Sequence, residues 1–446
     1  MAPLADLSFG LIELRLGNPR IMLLTAIVAA VAWMSVSLIL RRREKTGGRF
    51  VPSPGKTLLP ELQEQEAEDL PYPLDALPGG RDVITPYGSI RVYEWGPEGG
   101  ERVLFVHGIS TPVVSLGDLG HEFANKGYRV MLFGNLRSPR SSKPKDQHQK
   151  GDLLTDSVID LFGRGYSDAP NDLDYDARLY VTQILLVLAS SKLPWTTFHL
   201  IGYSLGGCLS VSFTRYFPHL VRSLTLVASG GLIRPYHVGW QSRLLYSSGL
   251  IPEFLVKMLV RKRIRPKHEQ PHSTASGADI MSAETTKRLP NGDGDSNGGD
   301  GFDSAAISKF RPDITVASVV RWQVDHHKGF VTAFLSTIRN APIYAPQDDW
   351  KNLAMVLETR RRLEHGNKPG SVKGMHAGKI LMVLGDDDPV IVKDEVIEDA
   401  EQVLGLEGVE FAILPGGHEI PFTMSSGIAN AIDGFWHKFQ DKLVES

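Results

Sequence analysis

The stretch Gly202-Tyr203-Ser204-Leu205-Gly206 decides the fold class of this chain of 446 residues. It follows Phe198-His199-Leu200-Ile201, which has the pattern of a short buried strand, and it precedes a mostly apolar, helix-forming run that includes Leu209 and Phe213. Small residues on both sides of the serine permit a sharp turn that lifts the hydroxyl clear of a sheet. The sequence therefore predicts a nucleophile, Ser204, at a strand-to-helix bend.

An acidic partner is expected after a later strand. Residues 379–384 have the pattern of a strand, and the loop that follows contains Asp386, Asp387 and Asp388. We assign the orienting carboxylate to Asp388, because the adjacent Pro389 would fix the loop. A solvated acidic turn is the alternative for any one of these aspartates.

A histidine follows the next predicted strand. Residues 409–414 run into Pro415-Gly416-Gly417-His418, and the two glycines give the backbone the freedom to place the imidazole over Ser204. A neutral imidazole can take the serine proton during attack and return it to the leaving group, while a carboxylate holds its tautomer. We therefore predict that Ser204, His418 and Asp388 act together.

Main-chain amides are expected to stabilise the oxyanion. The buried-strand pattern Arg102-Val103-Leu104-Phe105-Val106 ends in His107-Gly108-Ile109-Ser110, so the Ile109 amide could face the Leu205 amide at the head of the helix. Such donors are fixed before the reaction and require no reorganisation. We predict an oxyanion hole formed by Ile109 and Leu205.

Several motifs together resemble those of the α/β-hydrolase superfamily. They are His107-Gly108, Asp160 to Ser167, Gly202 to Gly206, Gly385 to Pro389 and Gly417-His418. The resemblance implies an α/β fold with a mostly parallel eight-stranded sheet and a helical cap after the sixth strand. Within the superfamily the chain is most similar to monoacylglycerol lipases, small-ester hydrolases and carbon–carbon bond hydrolases. Epoxide hydrolases and dehalogenases use aspartate where this chain has Ser204.

Residues 21–40 form an uncharged apolar run between Arg20 and Arg41-Arg42-Arg43. About 20 apolar residues suffice to cross a bilayer, so a transmembrane anchor is predicted. A cleavable signal peptide is the rival, because Ala30-Val31-Ala32 fits a cleavage site. Cleavage there would leave the apolar run from Trp33 to Leu40 on the mature chain, which favours the anchor.

The basic residues around this run predict its orientation. Arg15 and Arg20 precede the run, whereas a larger set follows it: Arg41, Arg42, Arg43, Lys45, Arg49 and Lys56. The positive-inside rule then places the catalytic part in the cytosol. The organelle stays open, with the endoplasmic reticulum or another internal membrane as candidates. The single cysteine, Cys208, agrees with this because it excludes an intramolecular disulfide.

Composition excludes several classes of function. A net charge of -3 with a pI near 6.5 shows no basic bias, so nucleic acid is not an expected partner. No cysteine and histidine spacing typical of zinc and no glycine-rich nucleotide loop occurs. We therefore predict no metal and no organic cofactor.

The predicted organisation has six parts. They are a tail (1–20), a transmembrane anchor (21–40), a tether (41–80), a first part of the hydrolase core (81–231), a helical cap (232–378) and a second part of the core (379–446). Within them, the polar stretch 134–159 departs from the family pattern and is either a surface loop or a retained intron. The polar stretch 267–303 is expected to be disordered.

The predicted function is a membrane-anchored serine hydrolase (a serine esterase, lipase-like) that cleaves a carboxylic ester, with a lipid or other apolar acyl ester as substrate. One alternative is a carbon–carbon bond hydrolase, for which Arg164 or Arg178 would bind the substrate carboxylate. Another is a catalytically silent binding protein whose pocket is distorted by the insertion after Phe133.

Overall fold

A mixed sheet of eight strands organises the computed structural model. The structure describes residues 22–29, 31–33, 35, 48–74, 76–132, 160–266, 300–344, 348–365, 374–375 and 378–444. The strands are β1 (Gly80–Thr85), β2 (Gly88–Trp95), β3 (Arg102–Val106), β4 (Arg129–Leu132), β5 (Phe198–Tyr203), β6 (Val221–Val227), β7 (Ile380–Gly385) and β8 (Val409–Leu414). Their spatial order is β8-β7-β6-β5-β3-β4-β2-β1.

Strand direction follows from the pairing. Strands β3 to β8 pair in parallel, while β2 is antiparallel to both β4 and β1. Every residue of the central strand β5 is buried, as expected for a parallel strand covered on both faces. Strands β1 and β2 form an antiparallel hairpin. The carboxyl ends of β3, β5 and β7 therefore lie at one edge of the sheet.

Helices follow or separate most of these strands. They are α1 (Pro54–Thr57), α2 (Glu64–Glu68), α3 (Gly117–Asn125), α4 (Ala177–Ser190), α5 (Leu205–Tyr216), α6 (Trp240–Tyr246), α7 (Glu253–Ile264), α8 (Asp300–Ser304), α9 (Val316–His326), α10 (Phe330–Asn340), α11 (Asp348–His365), α12 (Lys393–Leu404), α13 (Ile420–Thr423) and α14 (Ser425–Val444). Helices α6 to α11 lie between β6 and β7 in the chain. An Asp176 side chain caps α4 by accepting from the Leu179 amide at 3.0 Å.

The segment predicted to be a tether instead packs on the rest of the protein from residue 48 onward. Residues Phe50 and Val51 pair antiparallel with Pro170 and Ala169. The Tyr72 side chain is buried. The segment therefore packs on the core. Its partners lie far away in the sequence, so local composition does not reveal this packing.

Residues 22–29, 31–33 and 35 of the predicted transmembrane run are helical, and the rest of 21–40 lies outside the described residues. Among the helices that the structure describes, none combines the length and the apolar character that a membrane crossing requires. The insertion 134–159 and the stretch 267–299 also lie outside the described residues. Residues 300–303, expected to be disordered, instead belong to α8, where Phe302 is buried.

Candidate active site

Ser204 occupies the sharp turn between β5 and α5. Its φ is 52°, a left-handed conformation that non-glycine residues rarely adopt. A Cβ at Gly202 would lie 2.4 Å from the Gly206 carbonyl oxygen, and one at Gly206 would lie 2.0 Å from that of Val106. Glycine is therefore required on both sides of the serine, which accounts for the spacing of the motif.

His418 lies within hydrogen-bonding distance of both predicted partners. Its Nε2 is 3.0 Å from Ser204 Oγ, and its Nδ1 is 2.8 Å from Asp388 Oδ2. Both the carboxylate and the imidazole are buried. In the tautomer that this arrangement favours, Nδ1–H donates to Asp388 and Nε2 accepts the serine proton.

The Asp388 carboxylate is fixed by its own loop. Its Oδ1 accepts hydrogen bonds from the Val390 and Ile391 amides at 2.8 and 2.9 Å, which leaves Oδ2 for His418. The other candidates differ, because Asp386 accepts from the Gly416 amide and Asp387 is exposed. Of the three aspartates, the structure brings Asp388 to the imidazole.

Tyr203 anchors the loop that carries His418, a role that no sequence pattern predicted. Its hydroxyl donates to the His418 carbonyl oxygen at 2.9 Å, and its ring centroid lies 5.3 Å from that of the imidazole. Burial raises the pKa of the Tyr203 phenol well above its ordinary value. A neutral phenol beside Ser204 therefore anchors the backbone that carries the His418 imidazole.

Ile109 and Leu205 line the same chamber as Ser204 and His418. Leu205 is the first residue of α5, so its amide is one of those that a helix leaves without an intrahelical acceptor. Burial lowers the pKa of the neighbouring His107 to about 3. A neutral His107 accepts the Leu161 amide at Nε2 and donates from Nδ1 to the Gly108 carbonyl, which ties two loops together.

The chamber around Ser204 has a volume of about 90 Å³ and apolar walls. The apolar side chains that line it include Ile233, Phe302, Phe334, Ile338, Ile343 and Val390. A larger cavity of about 1020 Å³ adjoins it, and Ile338 and Tyr344 line both. Sequence patterns did not identify these lining residues, and Phe302 lies in the polar stretch 267–303 that was expected to be disordered.

The two arginines proposed for a carboxylate site lie elsewhere. Arg164 is buried and donates to neutral oxygens of Ile109, Phe162 and Thr337. Arg178 is exposed and paired with Asp176 at 2.5 Å. Neither lines the chamber, and the described residues that do line it include no arginine or lysine.

Comparison with known proteins identifies the class to which this fold and site belong. The family model described as "alpha/beta hydrolase fold" matches residues 101–423, which is most of the chain. The chain therefore belongs to the alpha/beta hydrolase fold family.

Similar individual proteins match shorter parts of the chain. One is "Probable lysophospholipase BODYGUARD 2" of Arabidopsis thaliana, 30% identical over 24% of this chain and 21% of that protein. Another is 2-hydroxy-6-oxo-2,4-heptadienoate hydrolase of Pseudomonas putida, 33% identical over 16% of this chain and 26% of that protein. The chain thus spans about a quarter or less of the length of these relatives.

Among solved structures, the fold is similar to that of a carboxylesterase from the ammonia-oxidizing thaumarchaeon Nitrososphaera gargenis. The sequence identity is 14%, and the TM-score is 0.47, with 81% of this chain and 100% of that chain covered.

Proposed function

We propose that this protein is a serine hydrolase that cleaves carboxylic esters. The observation that carries the proposal is the continuous row of hydrogen bonds from Ser204 through His418 to Asp388, at 3.0 and 2.8 Å. Ser204 Oγ attacks the ester carbonyl while His418 takes its proton, and the Ile109 and Leu205 amides donate to the oxyanion. His418 then protonates the leaving alcohol, and water hydrolyses the acyl-enzyme by the same steps.

The apolar chamber supports an apolar acyl ester as the substrate. A cavity of about 150 Å³ holds a benzene molecule, so a chamber of about 90 Å³ accepts only a few carbon atoms. A longer acyl chain, such as that of a lipid, has to pass Ile338 and Tyr344 into the larger cavity. The substrate class that we infer is therefore an ester whose acyl group is short or can pass between these two side chains.

Membrane anchoring through residues 21–40, with the catalytic part facing the cytosol, is also part of the proposal. It is supported by large apolar side chains of this run that are exposed to solvent, among them Leu23, Leu24 and Val28. Alkaline carbonate extraction of membranes tests the anchor, because a spanning protein stays in the pellet and a peripheral one is released. Protease protection of a carboxyl-terminal tag in sealed microsomes tests the orientation, and a protected tag would contradict it.

The carbon–carbon bond hydrolase alternative has weaker support. A substrate of that class carries a carboxylate, and an ion of this kind needs a cationic partner when it is buried. The described walls of the chamber offer none. A silent binding protein is disfavoured by the hydrogen-bonded row itself, since a distorted pocket would have separated Ser204 from His418.

Covalent labelling with a fluorophosphonate tests the proposed function. We expect the full chain to be labelled, Ser204→Ala to lose labelling, and ester hydrolysis to fall at least about 10⁴-fold in that variant. Ser426→Ala, at an exposed serine of α14, is the matched control and should label normally. Absence of labelling in the correctly folded native chain would favour a binding protein instead.

A further inference from the structure

The outer surface of helices α6 and α7 carries large apolar side chains that face solvent. They form what we call the apolar cap face: Trp240, Leu244, Leu250, Phe254 and Met258. Trp240 is the most exposed of them, at 72%. Single exposed apolar residues are ordinary, but a contiguous group marks a surface that binds another apolar surface.

Helical spacing concentrates these side chains on one side of each helix. Trp240 and Leu244 are four residues apart in α6, as are Phe254 and Met258 in α7, and Leu250 lies in the turn between the helices. The opposite side of α7 is already buried through Val256, Val260 and Ile264. The core uses the inner side, and within the part of the chain that the structure describes the outer apolar side chains remain exposed.

The N-terminal helical segment lies against this surface. The indole Nε1 of Trp33 donates to the Leu250 carbonyl oxygen at 3.2 Å. Trp33 belongs to the run for which we propose membrane anchoring. The apolar cap face therefore contacts, at Leu250, the segment for which we propose membrane anchoring.

The charges next to the face match a lipid headgroup region. Lys262 lies four residues after Met258 in α7, so it extends the row of Phe254 and Met258, and it is exposed. Arg243 in α6 is exposed and donates to the neutral carbonyl oxygens of Pro235 and Val238. Apolar side chains flanked by lysine and arginine are typical of surfaces that insert at the interface of anionic membranes.

We propose that the apolar cap face inserts into the headgroup region of a lipid bilayer, as a second membrane contact besides residues 21–40. The inference rests on the proposed membrane anchoring and is independent of catalysis. It gives the larger cavity a role, because Ser242 and Tyr246 of α6 and Lys257 of α7 line that cavity. An ester dissolved in the bilayer would then reach the wall of the catalytic chamber without crossing bulk water.

A site-directed fluorescent probe tests this inference in the full chain. Trp240→Cys is labelled with an environment-sensitive thiol dye in a Ser204→Ala background, so that hydrolysis plays no part. The native Cys208 is buried, and burial raises the pKa of its thiol, so it should stay unlabelled. Leu406→Cys is the matched control, since Leu406 has the same 72% exposure and lies in the turn between α12 and β8.

We expect a blue shift and quenching by spin-labelled lipids at position 240, but not at 406, in protein reconstituted into vesicles of phosphatidylcholine with phosphatidylglycerol. Adding Lys262→Glu should lower the inserted fraction about fivefold on these vesicles and leave it unchanged on pure phosphatidylcholine. Equal responses at 240 and 406 would overturn the inference. A blue shift at 240 that needs no lipid and grows with protein concentration would assign the face to a second copy and would also overturn it.

Phe254→Cys provides a second reporter on the other helix of the face, should Trp240→Cys fail to fold. Because the readout is independent of Ser204, an active esterase without lipid insertion and an inserted but inactive protein are distinguishable outcomes. The first would refute only the membrane contact. The second would refute only the proposed chemistry.

Discussion

Ser204 combines a strained backbone with three main-chain hydrogen bonds. A non-glycine residue at positive φ costs on the order of 1–3 kcal/mol. Its amide donates to the Val227 carbonyl at 3.0 Å, and its carbonyl accepts from the Gly207 and Gly230 amides. The hydrogen bonds to neighbouring β6 and α5 offset the strain, so the hydroxyl keeps a fixed direction toward His418.

The Asp388 carboxylate should matter for rate rather than for folding. In Asp388→Asn the amide can no longer stabilise the imidazolium and favours the wrong His418 tautomer, so we expect kcat to fall about 10⁴-fold. Ester hydrolysis and the rate of fluorophosphonate labelling measure this. Asp387→Asn, at the exposed neighbour, should retain its activity. If Asp388→Asn were as active as Asp387→Asn, the assignment of Asp388 as the carboxylate that orients His418 would be contradicted.

His327 should make the protein less stable in mild acid. Burial lowers the pKa of His327 to about 4, an effect that Arg164 reinforces and Asp168 opposes. The pKa is lower in the folded state than the ordinary value near 6.5, so neutral His327 contributes stability above about pH 6.5. That contribution, about 3 kcal/mol in full, is lost as the pH falls from about 6.5 toward 4.

The measurement is the free energy of urea unfolding between pH 7.5 and 4.5 for His327→Gln. Glutamine can still donate to the Ser167 carbonyl, the partner of His327 Nε2 at 2.9 Å, but it does not titrate. We expect a flatter pH dependence in this variant. His326→Gln, at the exposed neighbouring histidine, should keep the native slope, and equal slopes in both variants would exclude His327 as the source.

At the scale of elements, helix α10 forms part of the wall between the two cavities. Ile338 and Tyr344 line both cavities, and neither side chain is fully buried. Tyr344 forms an isolated parallel bridge with Ile233, which joins this wall to the chain leaving β6. The position of α10 therefore sets the length of the catalytic chamber.

Shortening Ile338 should change the preference for acyl length. In Ile338→Ala the chamber opens toward the larger cavity, so we expect kcat/KM for octanoyl relative to acetyl esters to rise about tenfold. A series of p-nitrophenyl esters measures the ratio. Val331→Ala, in the same helix but away from both cavities, should leave it unchanged. An unaltered ratio in Ile338→Ala would mean that the acyl chain takes another path.

Sequence patterns predicted strands β3, β5, β7 and β8 and the loops that carry Ser204, Asp388 and His418, because those signals are local. Apolar runs define strands, and glycine spacing defines the turns that follow them. The walls of the chamber depend on long-range packing instead. Phe302 is buried because it lies beside His418 and Phe422, at ring-centroid distances of 5.7 and 5.8 Å. Its own polar neighbourhood in sequence carries no such information.

At the scale of the whole molecule, the segment from residue 48 to 74 is joined to the core at two buried carboxylates. Asp160 accepts from the Tyr72 hydroxyl at 2.9 Å, and burial raises the pKa of this carboxyl to about 7. Asp168 accepts from the Ser53 amide at 2.9 Å and from Lys56 at 2.6 Å. Both aspartates lie in the 160–168 loop, in which Arg164 donates to the carbonyl oxygen of Ile109 at 3.1 Å. Because Ile109 lines the chamber around Ser204, docking of the N-terminal segment supports the site through this loop.

Asp168→Asn should therefore destabilise the whole fold. The Asp168 side chain is 0% exposed and also accepts a hydrogen bond from the Ser89 amide at 2.7 Å. The side-chain amide introduced by Asp168→Asn would point its own N–H groups at partners that can only donate. Because Lys56 is 42% exposed, solvent screening reduces the loss to about 2 kcal/mol of unfolding free energy. Asp172→Asn, at a half-exposed carboxylate near Arg49, should change it by less than about 0.5 kcal/mol. Urea unfolding measures both, and equal stabilities would show that the segment docks without this contact.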